Sequence, residues 1–183
     1  QPNEFKGSFQ DAAEQFKNLL EDSVRLRLRS DVPVGSCLSG GLDSSSIVCI
    51  AHNLLKEVDK QKTFSACSHH ERFDERVHID TVIQKTGVEA HYVYPDADQL
   101  IEELSSILWH QDEPYPTTSI YAQWLVFKKV KEKQVKVMLD GQGADEQLGG
   151  YQGFFGNRIY DLFMQFKWAD MLTEIQAIQK KHP

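Results

Sequence analysis

The sequence predicts an α/β domain: a mostly parallel sheet with helices on both faces. Two observations carry that expectation. Short apolar runs of strand length alternate with segments of helical apolar spacing along most of the 183 residues. Eight of the eleven glycines also gather at positions 40–41 and 141–156, and each group follows a strand-like run. Strand–helix alternation favours right-handed crossovers and parallel pairing. Ligands of such sheets bind off the carboxyl ends of the strands, where both glycine loops would open.

The elements follow in order. Ser8 is a candidate N-cap for a helix with Phe9, Ala13, Phe16, Leu20 and Val24 at helical spacing. Asp31-Val32-Pro33 would stop it, because a residue before proline is pushed out of the helical region. Val34–Leu38 reads as a short buried strand. From Ser45, the dense set Ile47, Val48, Ile50, Ala51, Leu54 and Leu55 suggests a helix packed between sheet and neighbours. Thr63–Cys67 is a strand, Glu75–Thr86 a helix closed by Gly87, and His91–Tyr94 another strand. Leu100, Leu104, Ile107 and Leu108 mark a helix. After a turn-rich segment, Ser119 would cap a helix with Ile120, Trp124 and Phe127 on one face. Val135–Leu139 is a strand entering the second glycine loop. Beyond Tyr160 come an aromatic stretch (Phe163, Phe166, Trp168) and an amphipathic helix with Met171, Leu172, Ile175 and Ile178.

With 20 Lys+Arg against 27 Asp+Glu, the net charge of −7 argues against a nucleic-acid or anionic-membrane surface. At 40% hydrophobic residues a folded core is expected, and no repeat or linker divides the chain. Cys37, Cys49 and Cys67 are odd in number and lack C-x-x-C spacing, which favours a reducing compartment. No apolar run has bilayer length, and Gln1-Pro2-Asn3-Glu4 does not read as a signal peptide, so a cytoplasmic protein is expected.

Ser39-Gly40-Gly41-Leu42-Asp43-Ser44-Ser45 lies between an apolar strand and a helix start. Glycine lets a ligand approach the backbone, and the unpaired N–H groups of the helix's first turn make an anion site. Ser39, Ser44 and Ser45 add hydroxyls. Asp43 would repel phosphate unless Mg²⁺ stood between them, an ion that takes one or two carboxylates plus phosphate oxygens. Gly35 and Gly40 have Walker A separation, but Gly41 stands where its lysine belongs, and no G-x-S-x-G elbow is present. The second loop, Asp140-Gly141-Gln142-Gly143-Ala144-Asp145-Glu146, carries three carboxylates. Glu146 occupies the third glycine position of a dinucleotide fingerprint, which argues against that site. A cation bridging Asp145 and Asp43 would account for the acidic residues of both loops.

Together the loops resemble one family. S-G-G-L-D-S-S at 39–45 is similar to the pyrophosphate motif of the N-type ATP pyrophosphatases, which have the adenine nucleotide alpha hydrolase-like fold. Combined with D-G-Q-G-A-D-E…G-G-Y at 140–151, it resembles the synthetase domain of the glutamine-dependent asparagine synthetases. That resemblance implies MgATP on the first loop, activation of aspartate as β-aspartyl-AMP with pyrophosphate release, and displacement of AMP by ammonia. It implies that Ser39, Gly40, Gly41, Asp43 and Ser44 surround the pyrophosphate and that Leu38 and Cys67 line the adenine pocket. It further places Gly141 near the nucleotide and Mg²⁺ on Asp43 and Asp145. Asp74-Glu75 resembles the D-E that opens the family's next helix, and Asp112 with Pro114 its D-x-P turn.

The sequence also departs from that pattern. Many family members carry an acid at the position of Gln142, on the substrate side, and a glutamine cannot serve as a base. No glutaminase domain with its leading cysteine is recognised, nor the later catalytic lysine and P-F-L-D-like segment. Residues 1–183 therefore read as one truncated synthetase domain, inactive alone, with a glutaminase expected upstream in the parent protein and no catalytic residue assigned. The alternatives are another amide-forming or adenylating enzyme, β-lactam-synthetase-like or peptide-modifying, and a non-catalytic nucleotide-binding module. A tRNA-thiolating role lacks paired catalytic cysteines. His69, His70, His78 and His91 match no zinc spacing, the lysines at 128–136 read as a solvated helix face, and Trp109, Trp124 and Trp168 as core.

Overall fold

The computed structural model describes residues 5–55, 61–70, 72 and 74–181. Four strands, β1 (Val34–Cys37), β2 (Lys62–Ala66), β3 (Glu89–Val93) and β4 (Val137–Leu139), form one sheet in the order β3-β2-β1-β4. Every neighbouring pair is parallel, with Ser36 opposite Thr63 of β2 and Leu139 of β4. The α/β expectation holds.

The helices are α1 (Phe9–Arg27), α2 (Leu42–Leu54), α3 (Arg76–Thr86), α4 (Ala97–Gln111), α5 (Ser119–Glu132), α6 (Ala144–Leu148), α7 (Gly153–Met164) and α8 (Trp168–Lys181). Ser8 caps α1 through a reciprocal capping box: its hydroxyl accepts the Asp11 N–H at 3.1 Å, and the Asp11 carboxylate accepts the Ser8 N–H at 2.8 Å. The helix ends at Arg27, before the proline. Ser30 folds its hydroxyl back to accept the Val32 N–H at 3.2 Å, a local turn that competes with the helix. At the other helix whose end rests on a turn residue, Gly87 (φ 68°) closes α3 by donating its N–H to the Ile83 carbonyl at 2.7 Å.

Strand alternation assigns the two faces of the sheet. Leu38, Cys67, Val48, Ile79, Val82 and Val88 pack α2 and α3 on one face, with Val24 of α1 joining Ala51 and Leu139 beside them. Phe64, Val126, Val130 and Val135 pack α5 on the other. The buried residues of α5 are Tyr121, Val126 and Val130, while Ile120 and Trp124 are half-buried and Phe127 is exposed, so Trp124 is not the core residue expected. Lys128 and Trp124 instead reach Glu103 of α4, which turns that side of the helix outward. Trp109 is 80% exposed and Trp168 45%, so neither is a core residue as expected.

The chain forms two compact units, one up to Gly141 that holds the sheet and one from Gln142 onward. In the second, α6 lies in the segment that read as a loop, and α7 lies in a segment assigned no element, reaching only Phe163 of the aromatic stretch. Gly143 (φ 91°) and Gly149 (φ 71°) bound α6, and α7 packs with α8. Phe163 meets Trp168 edge-on at 5.0 Å, and Leu162 is buried. Among the described residues no helix is long and apolar enough to cross a membrane.

Candidate active site

From β1 the chain moves outward to β2 and β3, then returns to β4 on the opposite side of β1. The carboxyl ends of β1 and β4 therefore flank the crevice where strand order reverses, the place where open α/β sheets hold ligands. The first glycine loop leaves β1 there and the second leaves β4. Their approach is close: a Cβ added to Gly141 would lie 3.1 Å from Asp43 Cβ and 3.2 Å from the Ser44 nitrogen. A side chain here would crowd the first turn of α2, so glycine suits the close approach of the end of β4.

Gly41, extended at φ −67° and ψ 163°, is the N-cap of α2, so the helix starts at Leu42, three residues before the expected Ser45. The Ser45 N–H closes on the Gly41 carbonyl at 3.1 Å, while the cap itself has no side-chain hydrogen bond to the first turn. The positive end of the helix is left facing the crevice. Gly40 adopts φ +84° and is pressed against α3, where a Cβ would come 3.0 Å from His78 Cβ and 3.2 Å from the Glu75 carbonyl. Asp74 holds that end of α3. Its carboxylate accepts from the Arg76 guanidinium at 2.7 and 2.8 Å, and those bonds keep its pKa below the usual carboxylate range.

The loop also binds itself. The Ser39 N–H donates to Ser44 Oγ at 3.2 Å, the two hydroxyls lie 3.0 Å apart, and the Gly41 N–H donates to Ser39 Oγ at 3.3 Å. Hydroxyl oxygens here accept from the N–H groups that a phosphate oxygen could take over. Ser44 is buried, and Asp43 is half-buried with no side-chain hydrogen bond or ion pair among the described residues. No group of three or more His, Cys, Asp or Glu side chains converges among the described residues. An oxygen-only set of one or two carboxylates fits Mg²⁺, which completes its shell with phosphate and water.

The family model described as asparagine synthase matches residues 15–180. The chain belongs to the asparagine synthase family. It is 38% identical over 141 residues to the putative asparagine synthetase (glutamine-hydrolyzing) 2 of Methanocaldococcus jannaschii, covering 75% of this chain and 26% of that protein. It is 28% identical over 181 residues to the amidase chry2 of Gibberella zeae, covering 92% of this chain and 26% of that one. The chain thus spans about a quarter of the length of these relatives. Among solved structures, the U34-tRNA thiolase NcsA of Methanococcus maripaludis is similar in fold, with a TM-score of 0.54 at 18% identity over 83% of this chain and 50% of that one.

In this member of the asparagine synthase family, the residues of the first loop and Gly141 come together at the switch point. Leu38 and Cys67 lie at the same edge, but their side chains are 1% and 5% exposed and belong to the α2–α3 core. Any contact of theirs with a base runs along the main chain. Gln142 and Asp145 open the second unit, where the Asp145 carboxylate lies against Gly150 and Tyr151 donates to Glu146 at 2.9 Å. Sequence reading missed Gly35: a Cβ there would meet Met138 Sδ at 2.8 Å and Phe64 at 3.2 Å, so this glycine serves sheet packing beneath α5. It also missed the backing of Gly40 by Glu75 and His78, for which only the positive φ of a glycine after a strand was a signal.

Proposed function

We propose that this chain is the nucleotide-binding part of an ATP-dependent amide ligase that makes asparagine from aspartate. The observation that carries the reading is the approach of Gly141 to Asp43 and Ser44 across the switch point, which sets the N-terminus of α2 and the Asp43 carboxylate at one crevice. In this reading Ser39, Gly40, Gly41 and the first-turn N–H groups of α2 hold the β- and γ-phosphates as a leaving group, and Leu38 and Cys67 border the base. Asp43 and Asp145 would hold Mg²⁺, which when bound supplies charge neutralisation along the phosphates.

The aspartate side-chain oxygen bonds to the α-phosphorus as the bond to the bridging oxygen breaks, giving β-aspartyl-AMP and pyrophosphate. Ammonia nitrogen then bonds to the acyl carbon, AMP leaves with the electron pair, and a proton is released. Bringing two anions together is the difficult part, and fixed positioning can supply roughly 7–11 kcal/mol of such a barrier. The family resemblance supports a glutaminase domain upstream as the ammonia source and the cytoplasm as the setting.

A second reading keeps the chemistry and changes the acid. Gln142 can donate and accept hydrogen bonds but cannot take a proton, and the amidase relative aligns over nearly the whole chain. ATP–pyrophosphate exchange by the full-length protein separates the two. Exchange that requires aspartate supports asparagine synthesis, exchange with other carboxylic acids and not aspartate supports the second reading, and ATP binding without exchange under any acid would reject both.

A further inference from the structure

The second glycine loop begins on a carboxylate with a task outside phosphate binding. Cys37 is the last residue of β1, and Asp140 directly follows β4. Because Ser36 pairs with Leu139, the register sets Cys37 beside Asp140 at the carboxyl edge. Alternation turns both toward the α5 face. Cys37 packs against the Phe64–Val126–Val130 cluster, and Asp140 shares a cleft of about 810 Å³ with Met138, Phe127 and Val130. The first turn of α2, with Asp43, belongs to the helix layer on the opposite face.

We propose that the Cys37 thiol and the Asp140 carboxylate form a latch across the ends of β1 and β4, holding Gly141 and the first glycine loop at their working separation. Both are then positioning residues for the nucleotide, a role that rests on the ATP reading above. In the latch the thiol would donate to the carboxylate that the register sets beside it. Burial, reinforced by the negative charge of Asp140 and by this hydrogen bond, pushes the Cys37 thiol up to about 12, so the donor keeps its proton at neutral pH. Little slack separates the latch from the site. Cys37 runs through Leu38 into Ser39, and Asp140 into Gly141, whose packing on Asp43 leaves no room for a Cβ to spare.

The test uses the full-length protein with Cys37→Ala, Asp140→Ala, the double variant and Cys37→Ser. Calorimetric titration with MgATP should show about three- to tenfold weaker binding in each alanine variant, no further loss in the double variant, and recovery in Cys37→Ser, which keeps a donor. The S–H infrared band assigned to Cys37 should move toward that of a free thiol in Asp140→Ala, a change that general loosening of the fold would not produce. Unchanged MgATP affinity in the single variants, additive losses or an unmoved S–H band would overturn the latch while leaving the nucleotide site intact. Failure of the parent protein itself to bind MgATP would instead overturn the ATP reading, and the latch's role with it.

Discussion

Gly40 and Gly141 border the same crevice for different reasons, and substitution should separate them. At Gly40 the backbone is left-handed, so a side chain meets both conformational strain and the wall formed by His78 and the Glu75 carbonyl at 3.0 and 3.2 Å. Gly40→Ala should lower stability by about 1–3 kcal/mol, seen as an earlier urea midpoint, because an L-residue in that region carries such a cost before any clash is added. Gly141 has no positive φ, and an added methyl there meets Asp43 Cβ and the Ser44 nitrogen at 3.1 and 3.2 Å. Gly141→Ala should leave stability, read from urea unfolding, within about 1 kcal/mol of the parent while weakening MgATP binding more than its stability loss explains. Equal effects of both substitutions on stability, with MgATP binding untouched in Gly141→Ala, would break the assignment of the two roles.

At the scale of elements, α4 is held to α5 by Glu103, whose carboxylate accepts from Lys128 at 2.8 Å and from the Trp124 ring N–H. The Lys128 bond first, and the Trp124 bond second, hold its pKa below the ordinary glutamate value. A depressed carboxylate contributes stability that is present above its unfolded pKa and is lost as pH falls through the folded one. Hydrogen-exchange protection of α4 amides should therefore decline in acid, below about pH 4.3, ahead of protection in β1 and β2. Glu103→Gln should flatten that dependence and loosen α4 at neutral pH; an unchanged acid profile in this variant would remove Glu103 as its cause. The same elements show what the sequence made legible. Strands and helices of the first unit were readable because period-2 and period-3.6 patterns differ wherever one face is buried. The inner face of α5 was not, because Trp124 is apolar in name yet carries an N–H that found a carboxylate. Nor was α7, whose aromatic residues Phe154, Tyr160 and Phe163 stay exposed, as does Met164.

For the whole molecule, the site was legible as two motifs and illegible as an arrangement. Ser39–Ser45 and Asp140–Gly150 announce themselves by composition, but only the strand order and the close approach of Gly141 to Asp43 and Ser44 show how near the end of β4 comes to the first loop. Pairings such as Cys37 with Asp140 depend on a strand register that no local pattern encodes. A chain of net charge −7 that binds a polyanion needs a cation where carboxylates face phosphate, and this fixes the sign of a last experiment. If Asp43 and Asp145 share one Mg²⁺, Asp43→Asn and Asp145→Asn should each weaken MgATP binding by about tenfold or more. The double variant should fall short of the summed loss by a coupling of about 1–3 kcal/mol, because the second substitution removes a ligand from a cation already lost. Chelation of Mg²⁺ should reverse the order. Without the cation each carboxylate only repels the triphosphate, so the asparagine variants should bind ATP as well as the parent or better. Isothermal titration with and without chelator reads both effects, and losses that add up and persist in chelator would show that the two aspartates act without a common ion.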